Sequence, residues 1–497
     1  MAEKSVAWTS FRTLEPNPYP YTPMTQSILE RGVETSSLAG VGSRGPPTTF
    51  HRGYLYLNVE ELRWILGCFA DVPEEVLLQY LGDEADVAFD RISIRPSLRG
   101  LALVASEGSQ PARMALHGLT VERRLPDRPA VEPLSDAALL GLVDTHQEFL
   151  TEMIGAHVLF SGLAEAYAAS VERLLPGSPS RRRIQALVST WTETKTAEMA
   201  RRGAALESDE RRGAFLEAFG HRCPREMEIA VPRWREKPGT LRQGTSVVRP
   251  DATGEPITTD STGTDSEGGL GRTLARLALY PGSLLERLRE NPKNEWLKSY
   301  AYLRDLLLDI GRRATVSGHL GAPEDVFYLS FGTARRLLSE PPSRRYTRRR
   351  VARAKHEHER NERYSPPLFV DRDFQPIERG PRREESGLSG LGVSEGRVSG
   401  RAIVARSPED VDLSGKSVDA ERAILVTEFT DAGWTPLFFQ VDGLVMERGS
   451  LLSHGSIVAR EAGIPAVVNA NGAMERIDTG DRIAVDAEAG SIRLLDR

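Results

Sequence analysis

Cysteine is nearly absent: Cys68 and Cys223 are the only two in 497 residues, and they lie in unrelated contexts. That excludes a disulfide scaffold and a multi-cysteine metal site, and it fits a reducing cytoplasm. Long apolar runs are missing too. Nothing approaches the roughly 18 apolar residues of a membrane-spanning helix, so none is expected. The opening Met1-Ala-Glu-Lys-Ser-Val-Ala-Trp8 lacks the apolar core of a signal peptide. A strong excess of one charge is also lacking. With 64 Lys and Arg against 70 Asp and Glu, the net charge is −6, which gives no general case for nucleic acid or an anionic membrane. The expectation is a soluble cytoplasmic protein, long enough for two or three domains, with no metal site of its own.

What is present centres on Gly443–Val468. The order reads strand (Gly443–Glu447), a Gly/Ser-rich loop (Gly449–Ser453), one histidine, a short helix (about Gly455–Ala462), Gly463, and a strand (Ile464–Val468). Gly463 suits the left-handed residue that closes a helix, and Pro465 keeps the helix from resuming. His454 therefore falls at a loop-to-helix junction, where unpaired N–H groups and the helix dipole favour an anion. A neutral imidazole there can act as a nucleophile toward phosphorus. By position alone, a histidine after serine is more often a capping or half-buried residue.

The wider segment carries more. Leu452-Ser-His-Gly-Ser-Ile-Val-Ala-Arg-Glu-Ala-Gly-Ile-Pro-Ala-Val-Val468 resembles the phosphohistidine signature of the swivelling domain in phosphoenolpyruvate synthase, pyruvate phosphate dikinase and rifampin phosphotransferase. Thr430-Asp-Ala-Gly-Trp-Thr-Pro-Leu-Phe438 resembles the T-D-P-G-W-T-P-L-F segment of the rifampin phosphotransferase branch. Ala432 replaces its proline, and Ser450 replaces the second glycine before the histidine. The resemblance implies that His454 carries a phosphoryl group, that Ser453 orients its ring, and that Arg460 stabilises charge, with Glu461 also part of the motif.

Earlier segments fit the substrate domain of that family. Residues 8–27 are rich in Pro and aromatics, an extended lead rather than a helix. Within them Thr22-Pro-Met-Thr-Gln-Ser27 resembles a T-P-L-T-W-S opening, with Gln26 where the pattern has Trp. Gly53–Ile65 alternates like a strand and then enters a helix. From Asp136 to Leu206 apolar residues recur at helical spacing, with His146 and His157 read as structural or exposed. A helix over Asp209–Phe219 can close at Gly220. The cluster of His221, Arg222, Arg225, Glu226, Glu228 and Arg233 then either lines a polar cleft or knits loops by ion pairs. It resembles the family's G-H-R-G-x-x-E segment, with Cys223 where Gly is usual, and the likeness implies a pocket role for His221 and Arg222. Thr240–Gly271 has few apolar side chains and reads as a flexible loop.

Arg272–Thr315 reads as two helices broken at Tyr280-Pro-Gly282. On the second, Arg289-Glu-Asn-Pro-Lys293 resembles the start of the family's pocket helix, which implies substrate-binding roles for Arg289, Glu290 and Lys293. Two cations can hold phosphoryl oxygens while a carboxylate takes a hydroxyl's proton; ordinary i,i+4 charge pairing is the alternative. Gly321–Ser330 matches the family's P-E-D-V-F-Y-L stretch and reads as architecture. Arg335–Arg363 is strongly basic, as expected of a solvated face or a docking surface for an acidic partner.

The fold class expected is multidomain α+β: a largely helical substrate-binding domain (1–378), a hinge linker (379–397), and a small α/β swivelling phosphohistidine domain (398–497). The resemblance further implies loading from ATP with Mg²⁺ by an ATP-grasp domain. None is found upstream, so a separate ATP-grasp subunit is the expected partner, with a small-molecule hydroxyl or enol oxygen as acceptor. The alternatives are a dehydratase, in which the phosphate becomes a leaving group, and a non-catalytic scaffold.

Overall fold

The computed structural model describes residues 8–10, 19–35, 48–59, 116, 118–174, 194–203, 206, 208–240, 269–367, 369–377, 388–411, 422–449 and 453–496. Residues 241–268 of the expected loop 240–271 and residues 379–387 of the expected linker lie outside them, as does Cys68.

The first part is mainly helical. Strand β1 (Trp8–Ser10) precedes α1 (Pro23–Thr35), and β2 (Thr48–His51) and β3 (Tyr54–Asn58) form a hairpin. Two long helices follow, α2 (Asp136–Leu174) and, after α3 (Lys195–Gly203) and α4 (Asp209–Phe219), α5 (Gly269–Val316). Helices α6 (Phe331–Ser339) and α7 (Arg344–Glu362) and strand β4 (Phe369–Val370) complete it. The strands pair as one antiparallel sheet in the order β2-β3-β1-β4.

The main helical contact is α2 against α5. Leu139, Val143, Leu150 and Met153 on α2, and Leu303, Leu307, Ile310 and Ala314 on α5, recur at spacings of three and four and are all buried in one cluster. Burying each such side chain stabilises by roughly 1.5–3 kcal/mol. His146 falls on the same seam. It is buried, with Nδ1 2.7 Å from Ser299 Oγ and Nε2 3.2 Å from the Asp127 carbonyl. It is a structural residue, as its spacing suggested.

The expected break at Tyr280-Pro-Gly282 does not occur: α5 runs unbroken from Gly269 to Val316. A proline inside a helix removes one backbone hydrogen bond and costs about 3 kcal/mol. Continuity through it is consistent with the gain from the long apolar seam outweighing that local cost. Gly220 does follow α4, but in a right-handed conformation rather than as a left-handed cap. Glycine is needed there for space, since a Cβ would lie 2.2 Å from the Leu216 carbonyl oxygen.

The second part is an eight-stranded sheet. Its strands are β5 (Leu388–Ser389), β6 (Leu391–Gly392), β7 (Arg397–Val404), β8 (Ala423–Thr427), β9 (Gly443–Met446), β10 (Ala466–Val468), β11 (Arg482–Asp486) and β12 (Ser491–Asp496). Between β9 and β10 lies α8 (His454–Ala462), and α9 (Ala473–Arg476) follows β10. The spatial order is β5-β12-β11-β7-β8-β9-β10-β6, with β7, β8, β9 and β10 parallel. Strands β8, β9 and β10 are buried throughout, as parallel strands covered on both faces must be. Leu425, Leu444, Met446, Ala466 and Val468 face one core, and Ile424, Val426, Val445 and Val467 the other.

Residues 388–392, read from composition as linker, instead belong to this sheet. Leu388 and Leu391 are buried, and the two strands they start occupy its opposite ends. Only Gly390 separates those strands, so the sheet curls until its edges meet. The Gly390 N–H donates to the Gly490 carbonyl at 2.8 Å, and a Cβ on Gly390 would lie 2.4 Å from the Val468 carbonyl oxygen.

Truncating the helical seam tests this description. Leu307→Ala is expected to cost about 2–5 kcal/mol, read as a lower urea midpoint for the transition reported by helical circular dichroism.

Candidate functional site

The histidine unit is built by close packing. Ser453 precedes α8, His454 is its first residue, and Gly463 closes it in the left-handed conformation (φ 64°). Gly455 lets the start of the helix approach its neighbours: a Cβ there would lie 2.0 Å from Thr430 Oγ1 and 2.9 Å from Met446 Cε. That explains glycine directly after the histidine. Ser453 Oγ lies 2.9 Å from Ser456 Oγ. The half-buried imidazole has Nε2 2.9 Å from Thr435 Oγ1. Thr435 thus meets the ring from the neighbouring turn. Arg460 is buried, and its Nη1 donates to the Val393 carbonyl at 3.3 Å, so one contact of its guanidinium runs to the sheet margin. The Glu461 side chain lies outside the described structure.

Thr435 belongs to a 3₁₀ turn, Ala432–Leu437, capped by Asp431. One carboxylate oxygen, Asp431 Oδ1, accepts from the Gly433 N–H at 2.8 Å, and the other, Oδ2, accepts from the Arg225 N–H of the helical part at 3.0 Å. Burial of this carboxyl pushes it up from 3.8 to about 6, opposed by those two N–H donors and by the Arg225 charge, with Glu226 reinforcing the rise. The turn sits against α3, and α8 packs on the same helix.

The other expected residues gather at one turn of α5. Glu290 is buried and accepts from Thr196 Oγ1 of α3 at 2.9 Å. The Asn291 side chain receives the Lys195 N–H at 3.0 Å. Lys293 Nζ lies 4.0 Å from Glu226 Oε2, and Glu226 also receives the buried Arg222 guanidinium. Arg222 Nη1 reaches Asn294 Oδ1 at 3.4 Å. His221 is buried with Nε2 3.1 Å from the Asn294 carbonyl, and its pKa is lowered well below the usual histidine range, first by burial and then by Arg222 and Lys298. A neutral ring can donate from Nε2 to that main-chain carbonyl. The structure therefore brings His221, Arg222, Glu226, Glu290 and Lys293 together. The Arg289 side chain lies outside the description. Gln26 is apart from the group in its contacts: its amide donates to the Tyr21 carbonyl at 2.7 Å.

The 221–236 segment ties loops together. Glu228 is a knot, accepting from the Thr22 N–H and hydroxyl, each at 2.8 Å, and from the Thr25 hydroxyl at 2.7 Å. Cys223 fits the loop in place of glycine: its buried sulfur receives Arg233 Nη1 at 2.5 Å, and burial pushes the thiol up to about 11. At that value it is no nucleophile at neutral pH.

Helix α3 joins the two groups. It carries Thr196 to Glu290, and it packs against the turn that bears Thr435 and against the helix that begins with His454. Chemically, the first group offers an imidazole at a helix start. The second offers a carboxylate and two cations within a largely dry setting, where such charges act strongly. Among the described residues no three His, Cys, Asp or Glu side chains come together as a metal site. No described helix is long and apolar enough to cross a membrane.

Two segments of the chain match models of known families. Residues 419–490 match the family model for the PEP-utilising enzyme mobile domain, and residues 182–244 match the rifampicin phosphotransferase fourth domain. A rifampicin phosphotransferase of Streptomyces sviceus is 31% identical over 60% of this chain and 36% of its own length. That of Bacillus cereus is 31% identical over 57% of this chain and 34% of its own. The prodigiosin synthesizing transferase PigC of Serratia marcescens is 26% identical over 93% of this chain and 59% of its own. The chain thus spans about a third of the rifampicin phosphotransferases it matches. These matches bear out the resemblance read from the sequence.

Two outcomes test the site's construction. Gly455→Ala should displace the start of α8 and lower the thermal midpoint of the sheet part by several degrees, because the Thr430 hydroxyl and the end of the Met446 side chain must move to admit the methyl group. Asp431 should leave a pH signature. A carboxyl raised on folding contributes stability that is full below about pH 4 and is lost as pH rises through about 6. Asp431→Asn should flatten that part of the stability curve, and an unchanged curve would show that Asp431 does not titrate as described.

Proposed function

We propose that this chain is the substrate-binding and phosphohistidine-carrying component of an ATP-dependent phosphotransferase. The observation that carries the reading is the His454 imidazole, set at the head of α8 and held by Thr435 Oγ1 at 2.9 Å. The matches to a PEP-utilising mobile domain and to a rifampicin phosphotransferase domain support it.

In this proposal a ring nitrogen of His454 attacks phosphorus in line. At the β-phosphorus of ATP an N–P bond forms, and the P–O bond to AMP breaks with its electron pair leaving on that oxygen. Water then cleaves the bond to the terminal phosphate, which leaves as Pi, and a single phosphoryl group stays on the ring. A separate ATP-grasp subunit binds ATP and Mg²⁺ and performs the loading. The N–P bond then breaks as a hydroxyl or enol oxygen of a small molecule attacks. Glu290 takes that oxygen's proton, and Lys293 and Arg222 hold the equatorial oxygens. Arg289, Arg460 and Glu461 belong to the same proposal as charge-bearing residues of the two motifs. Ser453 supports the start of α8, and His221 and Gln26 shape the walls.

A second reading has its own support. The match to a synthesizing transferase extends over 93% of this chain. That favours a biosynthetic step in which phosphorylation turns an oxygen into a leaving group that is then eliminated.

Incubation with [β-³²P]ATP, Mg²⁺ and a candidate ATP-grasp protein tests the carrier. Acid-labile label on the wild type and none on His454→Ala is expected; no label from a partner that turns over ATP would overturn it. Thr435→Val keeps the shape and removes the hydroxyl, and should slow labelling about tenfold, the worth of one hydrogen bond. With an acceptor in hand, an accumulating phosphate ester indicates transfer, and stoichiometric phosphate release with loss of the oxygen indicates elimination.

A further inference from the structure

The turn that holds the histidine ring also faces the helical part, and the contact is made by shape. Ala432 enters an apolar cluster with Met199, Leu206, Phe215, Phe219 and Trp234 of that part. A Cβ on Gly433 would lie 2.7 Å from Pro224 Cγ, and one on Gly203 would lie 3.3 Å from Pro436 Cγ. Next to these sits Arg225, in the left-handed region at φ 55°, where a side chain other than glycine is strained. Its guanidinium lies over the Tyr19 ring, 4.4 Å from the centroid, and Tyr19 meets Phe429 edge-on at 6.4 Å.

Within this contact Asp431 is a polar group that works in both directions. One oxygen closes the turn through Gly433 N–H, and the other closes the contact through Arg225 N–H. Four residues on, Thr435 holds His454 Nε2. We propose that Asp431 is a latch: a positioning residue that ties docking of the histidine domain on the helical part to the setting of the histidine ring. When the domain leaves, the outer oxygen exchanges the Arg225 N–H for water while the inner oxygen keeps the turn. When it returns, the outer oxygen is satisfied only if the turn, and with it Thr435, arrives in register. The purpose of the latch rests on the phosphocarrier reading; its existence does not.

The chemistry of the side chain provides the test. A carboxylate accepts on two oxygens, whereas an asparagine amide accepts on one and donates from the other end. Asp431→Asn can keep the bond inside its own turn, a closure over two residues that asparagine readily makes. It then turns an N–H donor toward the Arg225 N–H, two donors face to face. Asp431→Ala loses both bonds. Gly433→Ala keeps both N–H donors and opposes docking by collision with Pro224, while its methyl also lies 3.0 Å from Asp431 Oδ1.

Two readouts on the full chain separate these variants without any phosphate. Hydrogen exchange at the Arg225 amide reports docking, and the ¹⁵N resonance of His454 Nε2 reports the ring's bond to Thr435. Asp431→Asn should speed exchange at Arg225 about tenfold or more, the loss of one charge-assisted hydrogen bond, and leave the His454 resonance in place. Gly433→Ala should do the same. Asp431→Ala should change both signals. Wild-type protection of Arg225 in Asp431→Asn overturns the latch. So does a wild-type His454 resonance in Asp431→Ala. If Asp431→Ala fails to fold, the other two variants decide it. Failure of His454 to accept label would remove the carrier reading and leave these outcomes untouched.

Discussion

The candidate site depends on the tight approach of three backbones: the start of α8, the 3₁₀ turn after β8, and the end of β9. Gly455 allows this approach, since any side chain there would collide with Thr430 and Met446. Once the three are packed, the position of His454 is no longer a matter of its own rotamer. Thr435 meets the ring because the turn is fixed, and the turn is fixed because Asp431 caps it. The chemistry thus rests on a steric constraint first and on hydrogen bonds second.

The helical part contributes a different kind of order. Several of its charged residues lie inside and meet partners there: Arg222 meets Glu226, Arg304 meets Glu236 and the Ile229 carbonyl, and Glu228 meets two threonines. Groups so tightly paired are costly to break singly, so the loop 221–236 keeps its shape. That shape presents the Arg225 N–H and Pro224 to the other part. A ledge of this kind gives a travelling domain a repeatable landing place, and α3 transmits it to Glu290 through Thr196.

Much of this was legible in the sequence where short-range chemistry decides the outcome. The strand–histidine–helix–glycine–strand order follows from local signals, and Gly463 adopts the left-handed cap it was expected to adopt. The structural role of His146 followed from its place on an apolar stripe. Pro281 misled because local propensity counted for more in the reading than a long packing seam does in the molecule. Residues 388–392 misled because Gly and Ser look like linker, although Leu388 and Leu391 carry enough apolar surface to join a sheet. Thr435 and Asp431 lay inside a segment already singled out, yet nothing in its spacing says that one reaches a histidine nineteen residues on and the other an amide two hundred residues back. Thr196 had no local signal at all. Such pairings arise from tertiary packing and have no short-range trace.

The meeting of β5 and β6 at Gly390 has a consequence for the company this protein keeps. An open sheet presents two rows of unpaired amides and carbonyls, which invite strands from other molecules. Here two-residue strands drawn from one short stretch pair with part of each margin, β5 with Ser491 and Ile492 of β12 and β6 with Val467 and Val468 of β10. A domain that has to detach and travel exposes whatever surface its docking covered. With those stretches paired, an excursion under the proposed carrier role would expose less free backbone, and so carry less risk of aggregation, than a bare sheet would.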